Sequence, residues 1–136
     1  MTIEKKDVRW KQRFQNFEKA YLLIERTVAI NNPSEAEKGG LIQFYEMSFE
    51  LAWKLMKDYL SEQGWNVQTP REAIKQAFQS GLIEDGQIWI EALEDRNLTT
   101  HTYDESTADK VVSTIKKAYF PMLQQLYNRL KPEVEL

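Results

Sequence analysis

Apolar residues recur at alternating steps of four and three in the N-terminal part of the chain, and this spacing constrains the fold more than any other feature. Side chains at such intervals share one face of an α-helix, whereas a half-buried strand would need an alternation of two. The pattern predicts a first amphipathic helix that ends at the sequence NNPSE. The series is Trp10, Phe14, Phe17, Tyr21, Ile24 and Val28.

A second and longer helix is predicted from Ser34 to about Gln63. Ser34 and Glu37 have the spacing of a capping box, and Gly64 follows the end, although glycines at 39–40 could interrupt the first turns. Its apolar residues form two adjacent stripes that cover about half the circumference, whereas one partner surface needs about a third. We therefore expect burial on two sides, either at the centre of a bundle or between the bundle and another subunit.

A short third helix is predicted after Thr69, which is expected to act as its N-cap. Pro70 would occupy the first helical position, Glu72 would complete a capping box, and Gly81 would end the helix.

The fourth helix is predicted within DGQIWIEALEDRN and is expected to end near Leu98. Its inward-facing candidates are Ile88 with Ala92 or Leu93, and Trp89 and Ile90 make the pattern less regular.

Thr102 and Glu105 can cap a fifth helix that contains Pro121. A proline inside a helix lacks a backbone donor and clashes with the carbonyl four residues earlier, here that of Lys117, so we expect a kink. No alternating strand pattern or internal repeat is present. The sequence therefore predicts an all-α fold of four to five helices in a single domain spanning 1–136.

Composition limits the classes of function. A net charge of −3 and a pI near 5.3 argue against a broad nucleic-acid-binding surface but allow a local contact with RNA. The lack of cysteine excludes disulfides, thiolate chemistry and cysteine-bound zinc. No signal peptide and no apolar stretch of about 20 residues is evident, so we expect a cytoplasmic protein that does not enter the membrane.

The single histidine, His101, follows Arg96 by five positions. Five helical steps separate two side chains by about 140°, so a continuous helix would keep them apart. Asn97 tolerates unusual backbone angles, and the β-branched Thr99 and Thr100 disfavour helix. A turn between arginine and histidine is therefore expected, and it would allow the two side chains to converge.

A converging Arg96 and His101 suffice chemically to cleave RNA through its internal 2′-hydroxyl group. Imidazole can accept or donate a proton near neutral pH, and a guanidinium stabilises negative charge on phosphate oxygens, so neither a metal nor another cofactor is required. One histidine cannot be acid and base at the same instant, which favours a symmetric dimer. On spacing alone, however, a structural role at helix ends is favoured.

Other charged residues are expected to be ordinary surface. Glu50 could support Arg96, but it belongs to a polar strip typical of a solvated helix face, and we assign it no catalytic role. No glycine-rich phosphate loop or metal-binding carboxylate pair is present, so this chain is not expected to transfer nucleotides itself. A second, acidic set is expected to be exposed helix surface: Glu84, Asp85, Glu91, Glu94 and Asp95.

Longer sequence blocks carry a family resemblance. The segment RNLTTHTY has the R-x4-H-x-Y form of HepT-like proteins of the HEPN superfamily. The surrounding PREAIKQAFQSGLIEDGQIWIEALEDRNLTTHTYDE, together with QFYEMSFELAWKLMKDYL and AYFPMLQQLY, resembles the nucleotidyltransferase substrate-binding protein family. The resemblance extends from about Phe14 to Leu130.

The resemblance implies an up-and-down helical bundle, a homodimer, and a separate minimal nucleotidyltransferase as partner. In HepT-like toxin–antitoxin pairs the bundle is the ribonuclease, and the nucleotidyltransferase silences it by transferring AMP to the motif tyrosine. Arg96 and His101 would then be catalytic, Asn97 would shape the turn, and Tyr103 would accept AMP. The sequence leaves open whether the protein is an enzyme. The alternative to a ribonuclease is a non-catalytic substrate-binding subunit of a two-component nucleotidyltransferase.

Overall fold

The computed structural model describes the backbone of residues 2–96 and 105–136 and the side chains of residues 9–96 and 106–136. Those parts of the chain contain helices and no strand, which confirms the all-α prediction, and five helices result if the last three segments are counted as one. The elements are α1 (Thr2–Val28), α2 (Glu35–Glu62), α3 (Pro70–Gln79), α4 (Gly86–Asp95), α5 (Glu105–Thr114), a π-helical turn (Ile115–Tyr119) and α6 (Phe120–Val134).

Helices α1 and α2 form an antiparallel pair joined by a short loop. Arg13, in the first half of α1, forms an ion pair of 2.9 Å with Asp58 near the end of α2. The capping box is confirmed, because the Glu37 N–H donates to the Ser34 hydroxyl at 3.1 Å and the Ser34 N–H donates to the Glu37 carboxylate at 2.8 Å. The glycines at 39–40 do not interrupt α2.

Helix α2 lies at the centre of the bundle. It packs against α1, α3, α5 and α6, and its two apolar stripes are used mainly within the chain. The prediction of a central core helix is therefore confirmed. Phe44 and Leu51 remain only partly buried, so contact with a second subunit on that side stays a prediction.

Helices α3 and α4 form a short hairpin around Gly81, whose φ of 78° lies in the left-handed region that favours glycine. Thr69 caps α3 as predicted, since its hydroxyl accepts from the Glu72 N–H at 3.2 Å. The predicted capping box is wrong in its second half. The Glu72 carboxylate accepts from the Thr69 hydroxyl at 3.0 Å, not from the Thr69 backbone.

The inward face of α4 agrees with the prediction at Ala92 and differs from it elsewhere. Trp89 and Ala92 are fully buried, while Ile88 and Leu93 are only partly buried. The reason is that the Trp89 ring packs on Phe49 of α2, with ring centroids 5.9 Å apart. The buried face of α4 therefore contains Trp89 and Ala92, which are three residues apart, and not Ile88 as expected.

Helix α4 ends at Asp95, earlier than the predicted end near Leu98. Arg96 is its C-cap, and the Arg96 N–H donates to the Leu93 carbonyl at 3.4 Å. Leu98 itself and the predicted cap Thr102 lie outside the described residues.

A π-helical turn lies directly before Pro121, where the sequence predicted a kink, and the kink itself stays a prediction. The Phe120 N–H donates to the Ile115 carbonyl, five residues back, immediately before the proline. Pro121 has no N–H with which to continue the α-helical pattern toward Lys117, and the wider turn falls at this break. None of the helices within the described ranges is long and apolar enough to span a bilayer.

Candidate active site

Arg96 lies at the C-terminal end of α4, where the chain leaves the helix. Its Nη1 is 3.7 Å from Oε1 of Glu50 on α2. The other carboxylate oxygen of Glu50 accepts a hydrogen bond of 3.0 Å from the indole Nε1 of Trp53. Glu50 is therefore held by Trp53 and approaches the guanidinium, as the sequence suggested it could.

The ion pair between Arg96 and Glu50 is weak. The two side chains are 40% and 46% exposed, and a separation of 3.7 Å is long for a charge-assisted hydrogen bond. Exposed pairs of this kind contribute about 0–1 kcal/mol. The Arg96 guanidinium is thus accessible to an anion and is not locked by its partner.

Asp95, the last residue of α4, makes a much shorter contact. The Tyr119 hydroxyl donates to Oδ2 of Asp95 at 2.5 Å. The Tyr119 ring stacks on Tyr45 of α2, with ring centroids 5.2 Å apart and an interplanar angle of 17°. Burial, reinforced by the bond to Asp95, raises the pKa of Tyr119 far above its usual range, so the phenol remains a donor.

A small crevice opens between α2, the end of α4 and α5, and Asp95, Arg96 and Tyr119 contribute to its walls. It encloses about 10 Å³, which is room for about one water molecule. The buried Tyr45 hydroxyl has no hydrogen-bond partner within residues 9–96 and 106–136. The pKa of Tyr45 lies well above its usual value, mainly because the residue is buried and to a smaller extent because Tyr119 and Asp95 are nearby.

Of the residues predicted from the R-x4-H-x-Y sequence, Arg96 alone belongs to the part of the chain that the structure describes. Asn97, His101 and Tyr103 lie outside it, so the convergence of Arg96 with His101 stays a prediction.

Asp95 and Tyr119 were not predicted to take part in the site. The expectation that Asp95 is exposed surface is wrong, because the residue is partly buried and bonded to Tyr119. A usable signal was present in each case. For Asp95, the signal is a carboxylate in the last turn of a helix, which is unfavourable near the negative end of the helix dipole unless a hydrogen-bond donor lies nearby. For Tyr119, the signal is Pro121, which interrupts the helix two residues later.

A helical bundle in which Arg96, the arginine of the R-x4-H-x-Y sequence, lies at the end of a helix agrees with the resemblance to HepT-like proteins. The comparisons with known proteins agree. The chain belongs to the family described as nucleotidyltransferase substrate binding protein like, whose model matches residues 12–132. This confirms the resemblance found in the sequence.

Two individual proteins are also similar to this chain. The chain is 33% identical over 81 residues to a protein of Haemophilus influenzae named probable ribonuclease HepT, and the match covers 56% of each protein. The chain thus spans little more than half the length of that relative. It is also similar to a crystal structure of a Thermus thermophilus protein, with 30% identity and a TM-score of 0.77 over 85% of this chain and 98% of the other.

Proposed function

We propose that this protein is a HepT-like endoribonuclease toxin that cleaves RNA without a metal and is silenced by a separate minimal nucleotidyltransferase. The observation that carries the proposal is the position of Arg96, which lies partly exposed at a helix end with only a weak ionic partner. The similarity to a protein named probable ribonuclease HepT supports the same activity.

The proposed reaction uses the internal nucleophile of RNA. The 2′-oxygen attacks the neighbouring phosphorus while a base accepts its proton, and the bond to the 5′-oxygen breaks as an acid protonates that oxygen. The products are a 2′,3′-cyclic phosphate and a 5′-hydroxyl. His101 supplies one proton transfer, and the Arg96 guanidinium stabilises the charge on the non-bridging oxygens.

The second proton transfer is assigned to another copy of the chain. Each chain has one histidine, so a two-fold dimer would bring two into one groove. A partly exposed apolar strip on α2 supports this arrangement, since Phe44, Met47 and Leu51 follow helical spacing and are not fully covered. We propose this strip as part of the homodimer interface.

Tyr103 is the proposed AMP acceptor and Asn97 the residue that shapes the turn between the catalytic side chains. AMP on Tyr103 would place bulk and negative charge beside the groove that binds RNA. A reaction with the partner nucleotidyltransferase that modified a Tyr103→Phe variant as fully as the wild type would exclude this assignment.

The description of the family favours one alternative, a non-catalytic subunit that binds a substrate for the nucleotidyltransferase. In that case Arg96 and His101 would hold a phosphate group of the ligand without cleaving it. Such a protein would bind nucleotides but leave RNA intact.

Cleavage of RNA in EDTA by the purified protein tests the proposal. We expect Arg96→Ala and His101→Ala each to lower the cleavage rate by about 100-fold or more, because each removes a group that acts in the transition state. Circular dichroism would establish that both variants fold.

Arg71→Ala is the matched control. Arg71 makes a similarly long but more exposed ion pair, at 3.8 Å from Glu94, so its removal changes net charge without removing Arg96. The control should retain wild-type activity. Absence of cleavage by a wild-type protein that mass spectrometry shows to be unmodified at Tyr103 would reject the ribonuclease and favour the binding subunit.

A further inference from the structure

We propose that the hydrogen bond between Tyr119 and Asp95 positions Arg96 for its role in the site. Asp95 immediately precedes Arg96, so fixing its side chain fixes the point from which the arginine extends. Tyr119 and Asp95 would act through Arg96 as positioning residues. This inference rests on the proposed function for its catalytic consequence, but not for its structural content.

The backbone alone holds the end of α4 weakly. The Arg96 N–H reaches only the Leu93 carbonyl, at 3.4 Å, which is beyond the usual range of a strong backbone hydrogen bond. Glu50 adds little, because its contact with the guanidinium is long and exposed. The bond of 2.5 Å to Tyr119 is therefore the shortest of these polar contacts at the helix end.

Tyr119 is well suited to anchor another element. Its side chain is only 4% exposed, and its ring stacks on Tyr45 of the central helix. It is the last residue of the π-helical turn, in which one extra residue per turn changes the direction of the following side chains. The Tyr119 hydroxyl at the end of this turn thus contacts Asp95 at the end of α4.

The location of Asp95 supports a positioning role. A carboxylate in the last turn of a helix opposes the negative end of the helix dipole and is unfavourable by itself. Asp95 forms no ion pair with any residue in 9–96 or 106–136, so the phenol is its principal partner there. The arrangement holds the helix end without neutralising Arg96.

The test compares full-length Tyr119→Phe with Tyr127→Phe. Tyr127 is a matched control because its hydroxyl donates to Glu18 at 2.6 Å, on a pair of helices outside the crevice. The first readout is the side-chain Nε–Hε signal of Arg96 in a ¹⁵N NMR spectrum, assigned by its loss in Arg96→Ala. We expect it to shift or broaden in Tyr119→Phe and to stay unchanged in Tyr127→Phe.

The second readout is RNA cleavage. Tyr119→Phe should lower kcat about tenfold with KM within twofold, since a slightly misplaced group loses transition-state stabilisation. In an Arg96→Ala background the same substitution should cause no further loss, because Tyr119 acts through Arg96.

The two readouts separate the possible failures. An Arg96 signal that is unchanged in a folded Tyr119→Phe variant overturns the positioning role, as does a full tenfold loss in the Arg96→Ala background. A wild-type protein that cleaves no RNA overturns the proposed function instead, and the NMR comparison still decides the positioning role.

Discussion

Tyr119 and Tyr127 use the same chemistry in two regions of the bundle with different surroundings. Each hydroxyl donates to a carboxylate on another helix, at 2.5 Å to Asp95 and at 2.6 Å to Glu18. At Glu18 a cation completes the group, because Nζ of Lys131 lies 2.8 Å from the same oxygen. At Asp95 no cation from the described ranges forms an ion pair.

The difference separates a structural contact from one that we propose serves the candidate site. The Glu18 group joins α1 to α6, and its cation, Lys131, also lies 3.5 Å from Glu135. The Asp95 group relies on a phenol alone, while the adjacent Arg96 directs its guanidinium toward the exposed Glu50. The charge that the proposed reaction needs is thereby left partly accessible.

Truncation to alanine should produce the largest contrast between the two regions. Tyr119→Ala should reduce the free energy of unfolding by about 3–5 kcal/mol, as expected for a buried aromatic side chain, because it removes the stack on Tyr45. Tyr127→Ala should lose about 2 kcal/mol, since Tyr127 is only partly buried. Urea denaturation followed by circular dichroism measures both, and an equal or reversed order would contradict the comparison.

Removal of the hydroxyl groups alone should have a smaller but more specific effect on stability. Tyr119→Phe leaves the partly buried Asp95 without its donor and should lower the unfolding free energy by about 1–3 kcal/mol. Tyr127→Phe should lower it by less than about 1 kcal/mol, because Lys131 still contacts Glu18. The same urea measurement compares the two variants.

A third tyrosine provides a control for this contrast. The Tyr59 hydroxyl donates to Glu133 at 2.9 Å, and Glu133 also pairs with Arg129. Tyr59→Phe should therefore behave like Tyr127→Phe. If it destabilised the protein as much as Tyr119→Phe does, the presence of a cation would not explain the difference.

The sequence predicted the helices well, because spacing and capping are local. The series from Trp10 to Val28, the Ser34 cap and the Pro70 helix start all depend on residues a few positions apart. The inward face of α4 was misassigned for the opposite reason. Trp89 is buried because Phe49 lies far away in sequence but adjacent in space, and no local pattern reveals that contact.

The candidate site was predicted only in part. The motif and its helix end identified Arg96, and Glu50 was recognised as a candidate partner. Tyr119 was not predicted to belong to the site, because the bond from Tyr119 to Asp95 spans 24 positions of sequence. Pro121 predicted a kink, but the direction that a π-helical turn gives a side chain depends on the packing of the whole bundle.

The smallest expected effect is a pH dependence in the Glu18 region. A hydrogen bond from Lys131, and to a smaller extent one from Tyr127, keeps the pKa of Glu18 below its usual value of 4.5. The folded state therefore favours the charged carboxylate, and the resulting stability is present above that usual pKa and is lost as pH falls through the lower folded value. The pKa of Tyr127 is raised to about 12, so its donor is unaffected in this range.

Glu18→Gln keeps an acceptor for Tyr127 but removes the charge that Lys131 needs. The wild type should be more stable than this variant near neutral pH by less than about 1 kcal/mol, because the pair is partly exposed. The advantage should shrink as the pH is lowered to about 3, since protonation makes the two side chains nearly equivalent. Urea midpoints at several pH values measure it, and an advantage that stayed constant or grew in acid would show that the charge of Glu18 does not stabilise this region.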